Sequence, residues 1–215
     1  MEGTVLVVGL VALAYLAGSI PSGVLVARLS GGPDPRTVGS GRTGGTNALR
    51  ALGRKWALLV VIGDLAKGAI PVLVARAASG GDALPEVLCA LAAVLGASRS
   101  VFLRFGGGRG VGTGVGTMIV IQPLAVLAAF PVFVLVIVVT RYVSLGSLMA
   151  SVTSAVVLAL WWLAANGSVP VAYPLYGALG GALVWLAHAD NIDRLLHGTE
   201  RKFDLGLLAG RRPGG

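Results

Sequence analysis

From Val111 to Val139 the chain runs for 29 residues without one charged side chain. Few folds accept such a run. In water it would have to be buried on every face; in a bilayer it is at home, provided its backbone satisfies its own hydrogen bonds. Similar runs recur along the sequence. Of its 215 residues, 55% are hydrophobic and 12% charged, against about 25% charged in an ordinary soluble domain. Mean hydropathy is +0.86. The runs are long and lack strict alternation, so they predict membrane helices rather than barrel strands.

Apolar segments span Thr4–Leu29, Trp56–Ala75, Leu84–Ala97, Val111–Val139, Leu145–Ala165 and Val171–Ala187. The first contains Gly18-Ser19-Ile20-Pro21-Ser22-Gly23, which predicts a kink, because proline removes a donor and small residues let a neighbouring helix approach. It begins Met1-Glu2-Gly3 with no basic stretch and runs past Pro21, so it reads as a retained first helix rather than a signal peptide. As one straight helix, Val111–Val139 would extend ~43 Å, beyond a ~30 Å hydrocarbon core. Gln122-Pro123 lies near its middle and predicts two short helices, Val111–Ile121 and Leu124–Val139. The expectation is an all-α integral membrane bundle of seven helices, a single domain over 1–215, with Ser30–Lys55 as a polar loop.

Charge orients it. Arg28, Arg36, Arg42, Arg50, Arg54 and Lys55 flank or fill the first connection on one side; Arg99, Arg104 and Arg109 fill the next. Arg141 lies in the third, and Arg194, Arg201, Lys202, Arg211 and Arg212 in the tail. Only Lys67 and Arg76 lie elsewhere. The positive-inside rule then predicts an external N-terminus and a cytoplasmic C-terminus. The same rule accounts for the net charge of +8 without nucleic acid, for which no basic, aromatic-interleaved domain is present. The lone Cys89 excludes a disulfide within one chain and a cysteine zinc site.

The glycine-dense segments that also carry arginine fall on this cytoplasmic side. Pro35–Arg50 contains Gly39-Ser40-Gly41-Arg42 and Thr46-Asn47 with Arg36 and Arg50. Glycine lets backbone N–H groups converge on an anion, and arginine supplies a fork matched to phosphate. A flexible basic loop at the headgroups is the plainer reading. Gly106-Gly107-Gly108-Arg109-Gly110 leads into a helix whose free N–H groups attract phosphate. It is neither a Walker loop nor a dinucleotide fingerprint, and glycines also pack membrane helices. Arg141–Ser147 brings Ser144 and Ser147 to a helix start. The tail carries His188 at the end of an apolar helix, with Asn191 three residues on and on the same face if that helix continues. His188 is a candidate base or phosphate ligand, or simply an interfacial histidine; His197 reads as solvent-exposed. Asp64 and Lys67 read as a structural ion pair facing the bundle interior.

These segments, in this order, resemble the acyl-phosphate:glycerol-3-phosphate acyltransferases of bacterial membranes. The resemblance runs from Gly18–Gly23 through Gly39–Asn47, Leu49-Arg50, Leu52-Gly53, Asp64, Lys67-Gly68, Val101-Phe102-Leu103, Gly107–Gly110 and Arg141–Ser147 to Asn191–Glu200. It implies a seven-helix protein of the plasma membrane, active site toward the cytoplasm. The implied reaction transfers a fatty acyl group from acyl-phosphate to the 1-hydroxyl of glycerol-3-phosphate, giving lysophosphatidic acid and phosphate. No metal or cofactor is implied, and the only partners are the two substrates and membrane lipids, with the chain a monomer. By matching position, Ser40, Thr46, Asn47 and Arg50, with Gly39 and Gly41, would line the phosphate and acyl-phosphate site. Arg109, with Gly107 and Gly108, would hold a substrate phosphate; Ser144, Ser147, His188 and Asn191 would bind or orient glycerol-3-phosphate; Glu200 would be structural. The chain departs from the family where Ala97 replaces a His, Gly106 a Lys, Arg42 an Asn and Ala189 an Arg. A homologue that binds lipid or phosphate without catalysis, and a small anion transporter, are the alternative readings.

Overall fold

A computed structural model describes residues 2–209. Arg211 and Arg212 of the basic tail lie outside the described residues. All regular structure within them is helical: α1 (Glu2–Ser19), α2 (Ser22–Ser30), α3 (Gly45–Leu52), α4 (Arg54–Ala78), α5 (Ala83–Ser98), α6 (Val111–Ile121), α7 (Pro123–Thr140), α8 (Val143–Ala164), α9 (Ala172–Ala187) and α10 (Ala189–Leu196), with short 3-10 turns at Val101–Leu103 and Leu205–Ala209. Five stretches are long and apolar enough to cross a bilayer: α1, α4, α5 with the turn after it, α7 and α8; α6 and α9 are shorter apolar helices.

The long uncharged run divides as its length demands. Gln122 leaves helical geometry, and its side chain caps α7 by accepting from the Leu124 N–H at 3.3 Å. Pro123, with no N–H to lose, takes the first helical position. The first apolar segment departs further from expectation. It is two helices, not one kinked helix, because Pro21 cannot donate to the turn before it. The Ile20 carbonyl at the break accepts from the Ser22 N–H at 3.0 Å and from the Lys67 ammonium at 3.0 Å. Lys67 also pairs with Asp64 at 2.8 Å, both side chains largely buried, so this ion pair seals the break.

Ser30–Lys55 is not simply a loop. It contains α3, and α4 begins inside it at Arg54. Glycine composition hid α3, although its apolar positions Ala48, Leu49 and Leu52 pack with Val26, Ala57 and Val60.

Small residues set the helix spacing. A Cβ added at Gly18 would lie 2.1 Å from the Ala93 carbonyl oxygen, and one at Gly116 2.1 Å from that of Leu65. The α1–α5 and α4–α6 pairs therefore pack backbone against backbone, as membrane helices do when no hydrophobic effect drives them together. A central cluster of Val72, Val87, Met118, Ile121, Leu158 and Tyr176 ties α4, α5, α6, α8 and α9. At the end of the bundle holding the α4–α5 turn, Arg76 grips the buried Glu86 bidentately at 2.9 and 2.7 Å. The glycine and arginine segments gather at the other end.

Candidate active site

Asn47, on α3, organises the first glycine segment. The two hydrogens of its amide serve three carbonyls, one of them shared, with Nδ2 2.6 Å from that of Pro35, 3.1 Å from Val38 and 2.8 Å from Arg42, and its Oδ1 accepts from the Ser40 N–H at 3.0 Å. Asn47 is buried, and these four bonds use its side chain on the loop backbone. The chain wraps so tightly over it that a Cβ at Gly39, where φ is +56°, would fall 2.3 Å from Asn47 Oδ1. Only glycine combines that conformation with that proximity. The result presents Ser40, Gly41 and Arg42 on one turn. Thr46 and Arg50 sit beside it on α3, and the Arg50 stem passes close to Gly39. Arg50 is half-buried. Burial lowers its pKa, reinforced by the nearby Arg201 and opposed by Glu200.

The second segment folds back on the end of α5. Gly108 N–H donates to the Ala97 carbonyl at 3.0 Å and Ser100 N–H to that of Gly106 at 2.8 Å. A Cβ at Gly107 would lie 2.7 Å from the Ala97 oxygen. Gly108 faces the first segment: its Cβ would sit 3.6 Å from Thr43 Oγ1 and 3.8 Å from Gly44 N. The two glycine segments therefore lie side by side. Ser100 donates to the Ser19 carbonyl at 2.6 Å, which ties the loop to the α1–α2 break.

The tail forms the third wall. α9 does not continue to Asn191: it ends at Ala187, the chain turns at His188, and α10 sets off anew. Both His188 and Asn191 are nonetheless buried, at 2% and 4% exposure. His188 Nδ1 lies 2.8 Å from the Val184 carbonyl. A carbonyl only accepts, so in the neutral ring Nδ1 carries the proton and Nε2 keeps its lone pair. Burial, opposed by that hydrogen bond and reinforced by the charge of Arg109, pushes the His188 pKa down to about 4. Glu200 braces this wall: it accepts from Ser144 Oγ at 2.9 Å, Asn191 Nδ2 at 2.6 Å and Arg194 Nε at 2.8 Å. Burial pushes its carboxyl up, but these donors outweigh that and hold it below the usual carboxylate range. The tail is pinned again by Phe203 N–H on the Arg141 carbonyl at 2.6 Å. Ser147 is buried and commits its hydroxyl to the Val143 carbonyl of its own helix at 3.0 Å. His197 is exposed, as its position suggested.

The three walls meet at a residue that sequence reasoning passed over. Asp190 Oδ2 lies 3.0 Å from Arg109, 3.4 Å from Arg194 and 3.7 Å from Arg42. One carboxylate thus gathers guanidiniums from the first glycine segment, the second and α10. Burial pushes the Asp190 carboxyl up, yet the three arginine charges win and hold it low. A cavity of about 160 Å³ opens beside it, lined by Arg42, Ser98, Arg99, Leu186, Ala187, Ala189 and Asp190. Arg42 and Ala189 therefore face the same space. The sequence signal for Asp190 was its i,i+4 spacing to Arg194, a local clue that gives no hint of Arg42 or Arg109. Among the described residues no cluster of His, Cys, Asp and Glu could hold a metal ion.

The family model for glycerol-3-phosphate acyltransferases matches residues 8–198. The glycerol-3-phosphate acyltransferase of Rubrobacter xylanophilus is 44% identical over 208 residues, covering 96% of this chain and 97% of that protein. That of Thermus thermophilus is 46% identical over 194 residues, covering 88% and 92%. The crystal structure of PlsY (YgiH), an integral membrane glycerol 3-phosphate acyltransferase, in its glycerol 3-phosphate form matches with a TM-score of 0.84 at 38% identity, covering 95% of this chain and 99% of that one.

Proposed function

The chain belongs to the glycerol-3-phosphate acyltransferase family, and from that premise we propose that it transfers a fatty acyl group from an acyl-phosphate to the 1-hydroxyl of glycerol-3-phosphate. The observation that carries this reading is the convergence of arginines from two neighbouring glycine segments and from α10 on one carboxylate, beside a buried neutral histidine. Two phosphorylated substrates repel each other, and a site for both must first supply positive charge and fixed donors.

An acyl-phosphate is a mixed anhydride and already activated. The 1-hydroxyl oxygen attacks the acyl carbon, the C–O bond to phosphate breaks, and inorganic phosphate leaves with the electron pair; the hydroxyl proton goes to a base. No covalent enzyme intermediate is needed. The Ser40–Arg42 turn, with Thr46 and Arg50 beside it, binds the acyl-phosphate, and Asn47 holds that turn in shape. Arg109 takes a substrate phosphate, with Gly107 and Gly108 letting the backbone approach. Asn191 and Ser144, fixed by Glu200, orient glycerol-3-phosphate, and Ser147 lines the same wall. His188, with its free Nε2 lone pair, accepts the proton directly, or leaves that task to the substrate's own phosphate. The protein works as a monomer, a single domain of the plasma membrane, with this site toward the cytoplasm.

The test is release of inorganic phosphate from a long-chain acyl-phosphate by the purified protein. Release should depend on glycerol-3-phosphate and be matched one-to-one by lysophosphatidic acid. Phosphate binding without either product would overturn the reading in favour of a binder.

A further inference from the structure

The arginine cluster is lopsided in a way that points to a ligand. Asp190 offers two carboxylate oxygens, but all three guanidiniums crowd onto Oδ2. Oδ1 is buried with no hydrogen-bond partner, and so is Nε of Arg109. A buried polar atom without a partner is destabilising, so this is not an arrangement optimised for its own sake. Nor are the three arginines held alike. Arg109 donates a proper hydrogen bond at 3.0 Å. Arg194 is shared with Glu200, which it meets more closely, at 2.8 Å against 3.4 Å. Arg42 stands at 3.7 Å, beyond hydrogen-bond range, held by charge alone. It projects into the 160 Å³ cavity. Arg99 lines the same cavity, whereas the hydroxyl of Ser98 is committed to the Val94 and Leu95 carbonyls.

We propose that Asp190 is an internal stand-in for substrate phosphate, and that Arg42 is a phosphate ligand which it holds in waiting. In the empty site, the carboxylate keeps the guanidiniums from repelling one another and from scattering into solvent. An entering phosphate offers more oxygens and more charge than the one oxygen they share. Arg42, bound most weakly, transfers to it first, and the orphaned Arg109 Nε gains an acceptor. Asp190 therefore competes with the substrate for Arg42, and the anion affinity of the site is set by that competition. Asp190 is a positioning residue here, while Arg42 touches the ligand.

The acyltransferase reading enters this inference only through the identity of the natural anion, so the experiment measures binding without turnover. Inorganic phosphate is titrated into the full-length protein in detergent, with affinity read by calorimetry. Asp190→Asn keeps an acceptor for Arg109 but removes the charge that holds Arg42. It should bind phosphate ~3- to 10-fold more tightly than the wild type. Arg42→Gln should bind at least ~10-fold more weakly, and in the Arg42→Gln background the gain from Asp190→Asn should shrink below ~2-fold, because its beneficiary is gone. Unchanged or weaker binding by Asp190→Asn overturns the proposal, as does Arg42→Gln within ~2-fold of wild type. If Asp190→Asn does not fold, Arg42→Lys serves instead. Retaining most of the affinity that Arg42→Gln loses supports the proposal, and equal losses overturn it. A protein that meets these expectations yet fails to turn over acyl-phosphate would sink the proposed reaction and leave the stand-in intact.

Discussion

Two side chains carry the clearest expectations at the level of single residues. Arg50 is half-buried among the glycine segment, Glu200 and Arg201, and makes no side-chain hydrogen bond to another described residue. Arg50→Ala should lower kcat/KM for phosphate release by at least ~100-fold, the scale of losing a charged donor at a developing anion. Elution volume and thermal midpoint in detergent should stay near wild type; near-normal turnover would remove Arg50 from the site. His188 makes a prediction in pH. Its folded pKa, about 4, lies below the ordinary histidine value of 6.5. Between those values the unfolded chain takes up a proton that the folded chain refuses, so stability is lost as pH falls through this window, by up to ~3 kcal/mol. Above pH 7 the effect vanishes. The thermal midpoint of wild type should therefore drop more steeply from pH 7 to pH 4.5 than that of His188→Asn, and parallel curves would contradict the assigned burial. For activity, the imidazole is already neutral at pH 6. A loss of rate near that pH belongs to protonation of substrate phosphate, whose second pKa is about 6, and should persist in any partly active His188 variant.

The first glycine segment behaves as one element, with Asn47 as its core. Asn47→Ala would strip partners from three carbonyls and one N–H at once. At about 1–3 kcal/mol for each group that stays buried, the loop would open rather than bear that cost. The variant should show new trypsin cleavage at Arg36 or Arg42, with kcat/KM down at least ~10-fold; a loop that resists protease would mean that Asn47 is not its anchor. That dependence was invisible in the sequence, where Asn47 looked like one more phosphate ligand. The legible features had strong local causes. The Gln122-Pro123 break comes from a length that no bilayer accommodates and from a proline with no N–H to give. The Asp64–Lys67 pair comes from the cost of isolated charge in lipid. The hidden features depend on distant partners. The break at Pro21 is braced by Lys67, 47 residues away, whose ammonium donates to the Ile20 carbonyl. α3 is a helix within a glycine-rich connection because its apolar face packs on α2 and α4. Asp190 matters because Arg109, 81 residues away, reaches it, and no window along the chain contains both.

For the molecule as a whole, the polar chemistry sits at one end of the bundle, and among the described residues the Arg76–Glu86 ion pair, with Glu86 buried, marks the other. Arg76 and Glu86 neutralise each other at the end holding the α4–α5 turn, whereas Arg42, Arg109 and Arg194 gather at the opposite end around Asp190 and Glu200. By the positive-inside rule that asymmetry predicts a cytoplasmic arginine end, and it ties orientation to function: a site that consumes soluble glycerol-3-phosphate must face the compartment that supplies it. The orientation can be read in intact cells, because the native Cys89 is fully buried and gives a silent background. Gly80→Cys and Ser168→Cys lie on exposed turns at the ion-pair end, and His197→Cys lies at the arginine end, beyond α10. A membrane-impermeant maleimide should label the first two in intact spheroplasts and the third only after permeabilisation. Labelling of His197→Cys from outside, with the other two protected, would invert the topology. The arginine cluster would then face away from the cytoplasm, and the proposed reaction would lose its supply of glycerol-3-phosphate even with its geometry intact.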